Sequence, residues 1–411
     1  MLSPSSPCAT PSTRDRLISA SLRLLERDGL RGLSSRSLSR ETELSISAMN
    51  YTFGGRRGLI AAVAEAAALK AHGWWARQAQ FLPEGGDVRA VANWLGVAIS
   101  EGWRDPELPR LGVNELLLAA AWDPDLGPIL AEQRRRNEAL WVQIAGRAGL
   151  PPSAGACLEQ FVAGALLNYV PPGRAGLETP WMLDVCARLL ARLRGQRTEL
   201  PGWSGWSRMS HQDLDAAPDS PPPSAPMERM LSAVFTLCAS GGLQAVTHRA
   251  VASVSGCTLA TVVYHYPTSE ALIRGAFDAA VQRVLSRGDA WRLGPSPAEG
   301  IDSAMAVAIQ AILEPDGAPN VQSTLLATLL VEAWRDADLG RLAIRLIQRS
   351  EALTLAGLQA LAPDKGPDRL DARIRMLSNR GAVAWIYTFP QAERCEQLRT
   401  SFADPLRMLF D

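Results

Sequence analysis

The chain has 411 residues, of which 47% are hydrophobic and 20% charged, and its 42 basic groups balance 42 acidic ones. Such a composition excludes disorder over most of the length, and the neutral sum excludes a protein that coats polyanions with uniform positive charge. The six cysteines (Cys8, Cys157, Cys186, Cys238, Cys257, Cys395) form no CxxC pair, which argues against a structural zinc site and for a reducing, cytoplasmic setting.

Residues 1–13 are rich in Ser, Pro and Thr and read as a disordered N-terminus. From there the periodicity is helical, with apolar positions recurring every three to four residues between Gly, Pro and Asp breaks. Helices are expected over 14–28, 35–41, 46–52, 55–71, 88–103, 107–122, 128–148, 154–170 and 179–193. Residues 201–226 (PGWSGWSRMSHQDLDAAPDSPPPSAP) have no sustained apolar period and read as a linker. The second half repeats the pattern and is expected to end in helices over 372–388 and 392–407. The predicted fold class is all-α. No segment has the length and apolarity of a membrane span, so no membrane partner is expected.

Sliding one half on the other by 213 residues aligns Ile18–Ile60 with Leu231–Ile273 without a gap and gives nine identities in 43 positions: Ser19, Ala20, Leu24, Gly29, Leu30, Arg36, Tyr51, Leu59 and Ile60. Chance would give about three. Leu33/Val246, Ser34/Thr247, Leu38/Val251, Ser45/Thr258, Met49/Val262 and Phe53/Tyr266 keep their chemical character. The same shift places Asp125-Leu126-Gly127 on Asp338-Leu339-Gly340 and Glu138-Ala139-Leu140 on Glu351-Ala352-Leu353. Two copies of one unit account for this.

Each copy opens with three short helices. In the first, Gly29 permits a left-handed end to helix one, Ser34 is placed to cap helix two, residues 43–45 make a tight turn, and Ser45 is placed to cap helix three. Leu38, Met49 and Phe53 pack inward. This is a helix-turn-helix pattern. It leaves Ser45, Ser47, Ala48, Tyr51 and Thr52 to face a groove in the first copy, and Thr258, Ala260, Thr261, Tyr264 and His265 in the second. Arg36 and Arg249 sit near helix N-termini, where a cation opposes the dipole; each is either a solvated charge or a sign of an external anion. A phenol such as Tyr51 or Tyr264 is either rim packing or a phosphate contact.

Ser34–Ile60 reads SSRSLSRETELSISAMNYTFGGRRGLI and Thr247–Ile273 reads THRAVASVSGCTLATVVYHYPTSEALI. Both resemble the tetracycline-repressor (TetR) family of bacterial transcription regulators, in the Thr/Arg start, the turn, the aromatic-rich YHF-like element and the Leu that follows. Glu43 and Ser47 stand where that family has glycines, Thr52 where it has His, and Arg56 where it has a phosphate-touching Lys. The resemblance implies two tandem units: head units over 14–58 and 227–271, and ligand-binding and dimerisation bundles over 59–200 and 272–411. It implies double-stranded operator DNA as partner, with Ser34, Arg36, Arg56, Thr247 and Arg249 joining the groove-facing residues above. Residues 1–60 hold nine Arg against five acids, whereas 227–276 hold three Arg against two acids and have Ser269 in place of a basic residue. Phosphate contacts dominate affinity for DNA, so the first copy is the expected binder.

The resemblance further implies a small-molecule effector, expected to be apolar or aromatic, in the Trp-rich first bundle, with Trp94, Trp103, Trp122 and Trp141 as candidate walls; a Trp on a helical stripe is more often core than ligand wall. The last two helices of each half resemble the family's dimerising pair, and Gly155, Ala156, Ala163, Gly164 and Ala165 permit close approach. Two arrangements are open, an intrachain pseudo-dimer and a homodimer. No cofactor motif and no nucleophile with a base is visible, so no enzyme activity is expected. The competing reading is a helical ligand-sequestering or protein-interaction module whose DNA units have decayed.

Overall fold

The structure is a computed structural model that describes residues 12–84, 87–171, 175–196, 223–286 and 300–410. Most of the N-terminal segment and of the linker expected from the sequence lies outside them. Among the described residues the chain is all-helical, with no β-strand. The first half holds α1 (Thr13–Gly32), α2 (Ser35–Thr42), α3 (Ile46–Phe53), α4 (Arg56–Ala79), α5 (Val88–Gly102), α6 (Arg110–Ala119), α7 (Leu126–Arg147), α8 (Ala154–Leu167) and α9 (Ala175–Leu193). The second holds α10 (Ala225–Gly241), α11 (His248–Ser255), α12 (Leu259–His265), α13 (Ser269–Ser286), α14 (Gly300–Gln310), α15 (Val321–Glu332), α16 (Ala337–Leu361), α17 (Arg369–Ile386) and α18 (Arg394–Phe410). The helix order of the first half therefore recurs in the second, and α2 and α11 differ by the same 213 residues that align the sequences.

The starts of these helices follow local chemistry. Ser12 and Asp15 form a reciprocal capping box at α1, and Asp368 and Asp371 form one at α17. Asp87, Asn320 and Asp336 accept first-turn N–H groups at α5, α15 and α16. Each side chain satisfies donors that helical geometry leaves without a partner.

The two halves share their cores. Helix α8 packs along α17, with α9 and α18 flanking the pair, and α6 packs on α15. At the α8–α17 crossing a Cβ on Gly164 would collide with the Leu377 carbonyl, and one on Gly381 with the Gln160 carbonyl. Gly164 with Gly381, and Gln160 with Leu377, are each 217 residues apart, so the contact is exchanged between the halves as about a two-fold axis. The last helices thus run at an offset four residues longer than the 213 of the earlier ones. Buried ion pairs tie the same surface: Arg188 and Arg192 of α9 reach Asp371 of α17 at 3.2 and 3.0 Å. One apolar core joins Leu17, Leu24 and Leu38 to Leu116, Ile386 and Phe402, and the other joins Trp75, Trp141 and Val185 to Val234, Val251 and Leu325. Each draws on both halves.

Candidate functional site

Both three-helix heads are built the same way. In the first, α1 bends at Gly29 (φ 68°, ψ −173°). Ser34 Oγ accepts the Ser37 N–H at 3.1 Å, and Ser45 Oγ accepts the Ala48 N–H at 3.1 Å. Between them Glu43 takes a left-handed conformation (φ 59°, ψ 17°) to turn α2 into α3. In the second head the equivalents are Gly242 (φ 67°, ψ −173°), Thr247 accepting from Ala250 at 3.1 Å, Gly256 (φ 68°, ψ 15°) and Thr258 accepting from Thr261 at 3.1 Å. From the bend glycine to the start of the third helix the backbone geometry is repeated although most side chains differ; at its end α3 closes on a left-handed Gly54 (φ 69°), whereas α12 ends at Tyr266 (φ −134°). Leu38 and Met49 are buried in one head, Val251 and Val262 in the other, and these fix which face of α3 and α12 looks outward.

The outward face of the first head presents Arg36, Ser45 and Ser47, with Tyr51 95% exposed. Ser34, Ala48 and Thr52 are half-buried, and Thr52 Oγ1 donates back to the Ala48 carbonyl at 2.7 Å. Arg36 and Arg40 are exposed and, among the described residues, have no acidic partner. Arg23, Arg27 and Arg57 are instead paired with Glu41, Asp28 and Asp125. Arg56 differs from expectation: its guanidinium turns back to donate to the Leu33 and Leu30 carbonyls, closing orphan acceptors at the end of α1, so it braces the head. Asn50, passed over in the sequence, is exposed one helical turn from Ser47 beside Tyr51. The i, i+3 spacing was the available signal.

The second head presents Thr247, Arg249, Thr258 and Ala260, with Tyr264 82% exposed and edge-on to His265; Thr261 and His265 are half-buried. Val254, Leu259 and Val263 are exposed on the same head, and Val263 holds the place of Asn50. This face is more apolar and offers fewer hydrogen bonds than the first.

Helix α6 links the first head to the interior. The Glu26 carboxylate of α1 accepts the Gly112 N–H at 2.6 Å, and Glu115 of α6 accepts the Leu30 N–H at 2.7 Å. Arg335, from the turn after α15, donates to the Leu25 and Glu26 carbonyls at 2.7 and 3.0 Å and pairs with Glu115 at 3.0 Å. Burial pushes both the Glu26 and Glu115 carboxyls above the usual range. From the same helix, Asn114 and Leu118 line a cavity of about 530 Å³.

That cavity lies in the second half, between α14, α15, α16 and α17, and not in the Trp-rich first bundle. None of Trp94, Trp103, Trp122 and Trp141 lines it. Trp103 and Trp141 are buried, and the indole N–H groups of Trp94 and Trp103 are spent on the Gln78 and Ala165 carbonyls at 2.9 and 3.0 Å. Trp141 stacks at a tilt on Trp75. Trp122 is half-buried against Gly242 of the opposite half. The difference between the two halves is one of volume. At an offset of 213, Trp141 and Ile144 of α7 correspond to Thr354 and Gly357 of α16, and both of the smaller residues line the cavity. Indole fills in one half the space that is left open in the other.

Comparison with known proteins gives no matching family model and no matching curated protein. No helix among the described residues is long and apolar enough to cross a membrane.

Proposed function

We propose that the chain is a ligand-responsive, DNA-binding transcription regulator of the TetR type, acting as a repressor in the cytoplasm. Its two halves serve as tandem units that form an intrachain pseudo-dimer. The observation that carries this reading is the pair of three-helix heads with the same caps and the same turn, each presenting an outward Tyr and an exposed Arg at the same places: Tyr51 with Arg36, and Tyr264 with Arg249. Small residues on α3 permit close approach to a groove, while the flanking phenol and guanidinium suit phosphate oxygens. The first head supplies most of the affinity, because Arg36 and Arg40 carry unpaired charge beside it. Since the two outward faces differ, the favoured operator is asymmetric.

Control follows from α6, one face of which holds α1 while the other lines the cavity. An effector that prefers a conformation with displaced α6 lowers operator affinity by its preference between the two states. The experiment is salt-dependent binding of the purified chain to the DNA upstream of its own gene. Binding should weaken steeply with salt and fall further in Tyr51→Ala and Arg36→Ala. A chain indifferent to that DNA and to a genomic library at low salt leaves the ligand-sequestering module as the surviving reading.

A further inference from the structure

Four features of the cavity in the second half converge on one ligand chemistry. Its walls are largely apolar, with Leu118 and Leu167 from the first half and Met305, Leu326, Leu346 and Val383 from the second. Its volume of about 530 Å³ falls within the range of sites for small organic ligands. On one wall α17 places Arg375, Asn379 and Arg380. At the 217-residue offset of the last helices these three correspond to Leu158, Val162 and Ala163, so the half that is hollow is also the half where apolar side chains have given way to donors.

The fourth feature is charge. Arg380 Nη1 and Asn379 Oδ1 are both shielded from solvent and without a hydrogen-bond partner. The nearby carboxylate, Glu351, is already held by Arg373 at 2.7 Å and Arg369 at 3.2 Å. Arg375 donates to the Phe402 carbonyl at 2.6 Å and lies over the Phe402 ring, and among the described residues no acid pairs with it. Asp368 and Asp371 are engaged by Arg188 and Arg192. Burial, with the Arg373 guanidinium adding to it and Glu351 opposing, lowers the affinity of Arg380 for its proton, so Glu351 offsets the cost of this buried charge only in part. A guanidinium presents a fork that fits a carboxylate.

We infer that the cavity binds a small apolar molecule carrying a carboxylate, with the carboxylate on Arg380 and Asn379 and the apolar body against Leu118, Leu326 and Leu346. The Asn379 amide can rotate to offer its NH2 to the same anion. This inference deepens the effector part of the proposed function, and it is tested without DNA so that the two stand or fall separately.

The test is isothermal titration of the full chain with octanoate, dodecanoate and 2-naphthoate, each beside the alcohol of the same body. At least one acid should bind saturably and roughly tenfold or more tighter than its alcohol. Arg380→Met should abolish that preference by bringing the acid's affinity down to that of the alcohol, and it should fold at least as stably, because it removes a buried charge with no direct ion-pair partner. Arg380→Lys, which keeps the charge, should restore part of the preference and serves if the Met variant fails to fold. Equal affinity of acid and alcohol, no saturable binding of any acid, or a preference that survives loss of the Arg380 charge overturns the inference. A chain that binds an acid but no DNA keeps this site and loses the regulator reading; the converse removes this site alone.

Discussion

Arg335 and Trp122 stand 213 residues apart and each lies against the bend glycine of the opposite half, Arg335 on Gly29 and Trp122 on Gly242. The same location in the duplicated fold thus closes the same gap with a charge on one side and an indole on the other. Arg335 does more than fill space, since it donates to two carbonyls of α1 and faces Glu115 and Glu332.

Replacing Arg335 with Ala should therefore cost about 3–5 kcal/mol, because it strands buried carboxylates as well as removing hydrogen bonds. Urea denaturation at neutral pH would measure it. A loss below about 1 kcal/mol would mean that the arginine is dispensable to the packing of the first head.

The turn between α2 and α3 offers a cleaner contrast. Glu43 is the one non-glycine with positive φ among the described residues, and Gly256 takes its place in the second head with open space around its Cα. Left-handed backbone costs an L side chain roughly 1–2 kcal/mol. Glu43→Gly should raise stability by about 1 kcal/mol, and Gly256→Ala should lower it by about as much, both read as shifts in the urea midpoint. Equal and null shifts would show that the turn is relaxed by its surroundings.

Glu159 gives a pH signature. It is buried in α8, and desolvation, with the Glu138 carboxylate adding to it, pushes its pKa up to about 8 from an ordinary 4.5. The unfolded chain releases this proton near pH 4.5 while the folded chain keeps it until about 8. The folded state therefore loses stability as pH climbs through that window and levels off above it, by roughly 3–5 kcal/mol in all at about 1.4 kcal/mol per unit. Glu159→Gln should remove this component, so its advantage over the natural chain should widen between pH 5 and pH 8. A gap that stays constant across that range would place the titration elsewhere.

On the proposed reading, Asn50 is the side chain of α3 best suited to base recognition, since Asn can pair with both edge groups of an adenine in the major groove. Asn50→Ala should cost about 1–3 kcal/mol at one base pair and relax discrimination there, whereas Arg36→Ala should weaken all sequences alike. Competition binding against single-base operator variants separates these outcomes.

Much of the architecture was legible because it rests on local rules. The repeat offset, the caps at Ser34 and Ser45, and most helix positions follow from spacing and residue type. What was illegible depends on partners distant in sequence. Arg56 reads as a phosphate contact until the Leu30 and Leu33 carbonyls come within its reach. The Trp residues read as core or as pocket walls, and the open space in the second half follows Thr354 and Gly357, which carry no signal alone. Gly164 was visible as a small residue, but only the approach of Leu377 shows what it is for.

Because each apolar core takes side chains from both halves, the pairing of the two halves does not depend on how many copies of the protein are present. A regulator assembled from separate subunits falls apart on dilution, whereas a covalent pair keeps both heads together through intramolecular effective concentration. On the proposed reading, a single molecule would still carry both heads on one frame.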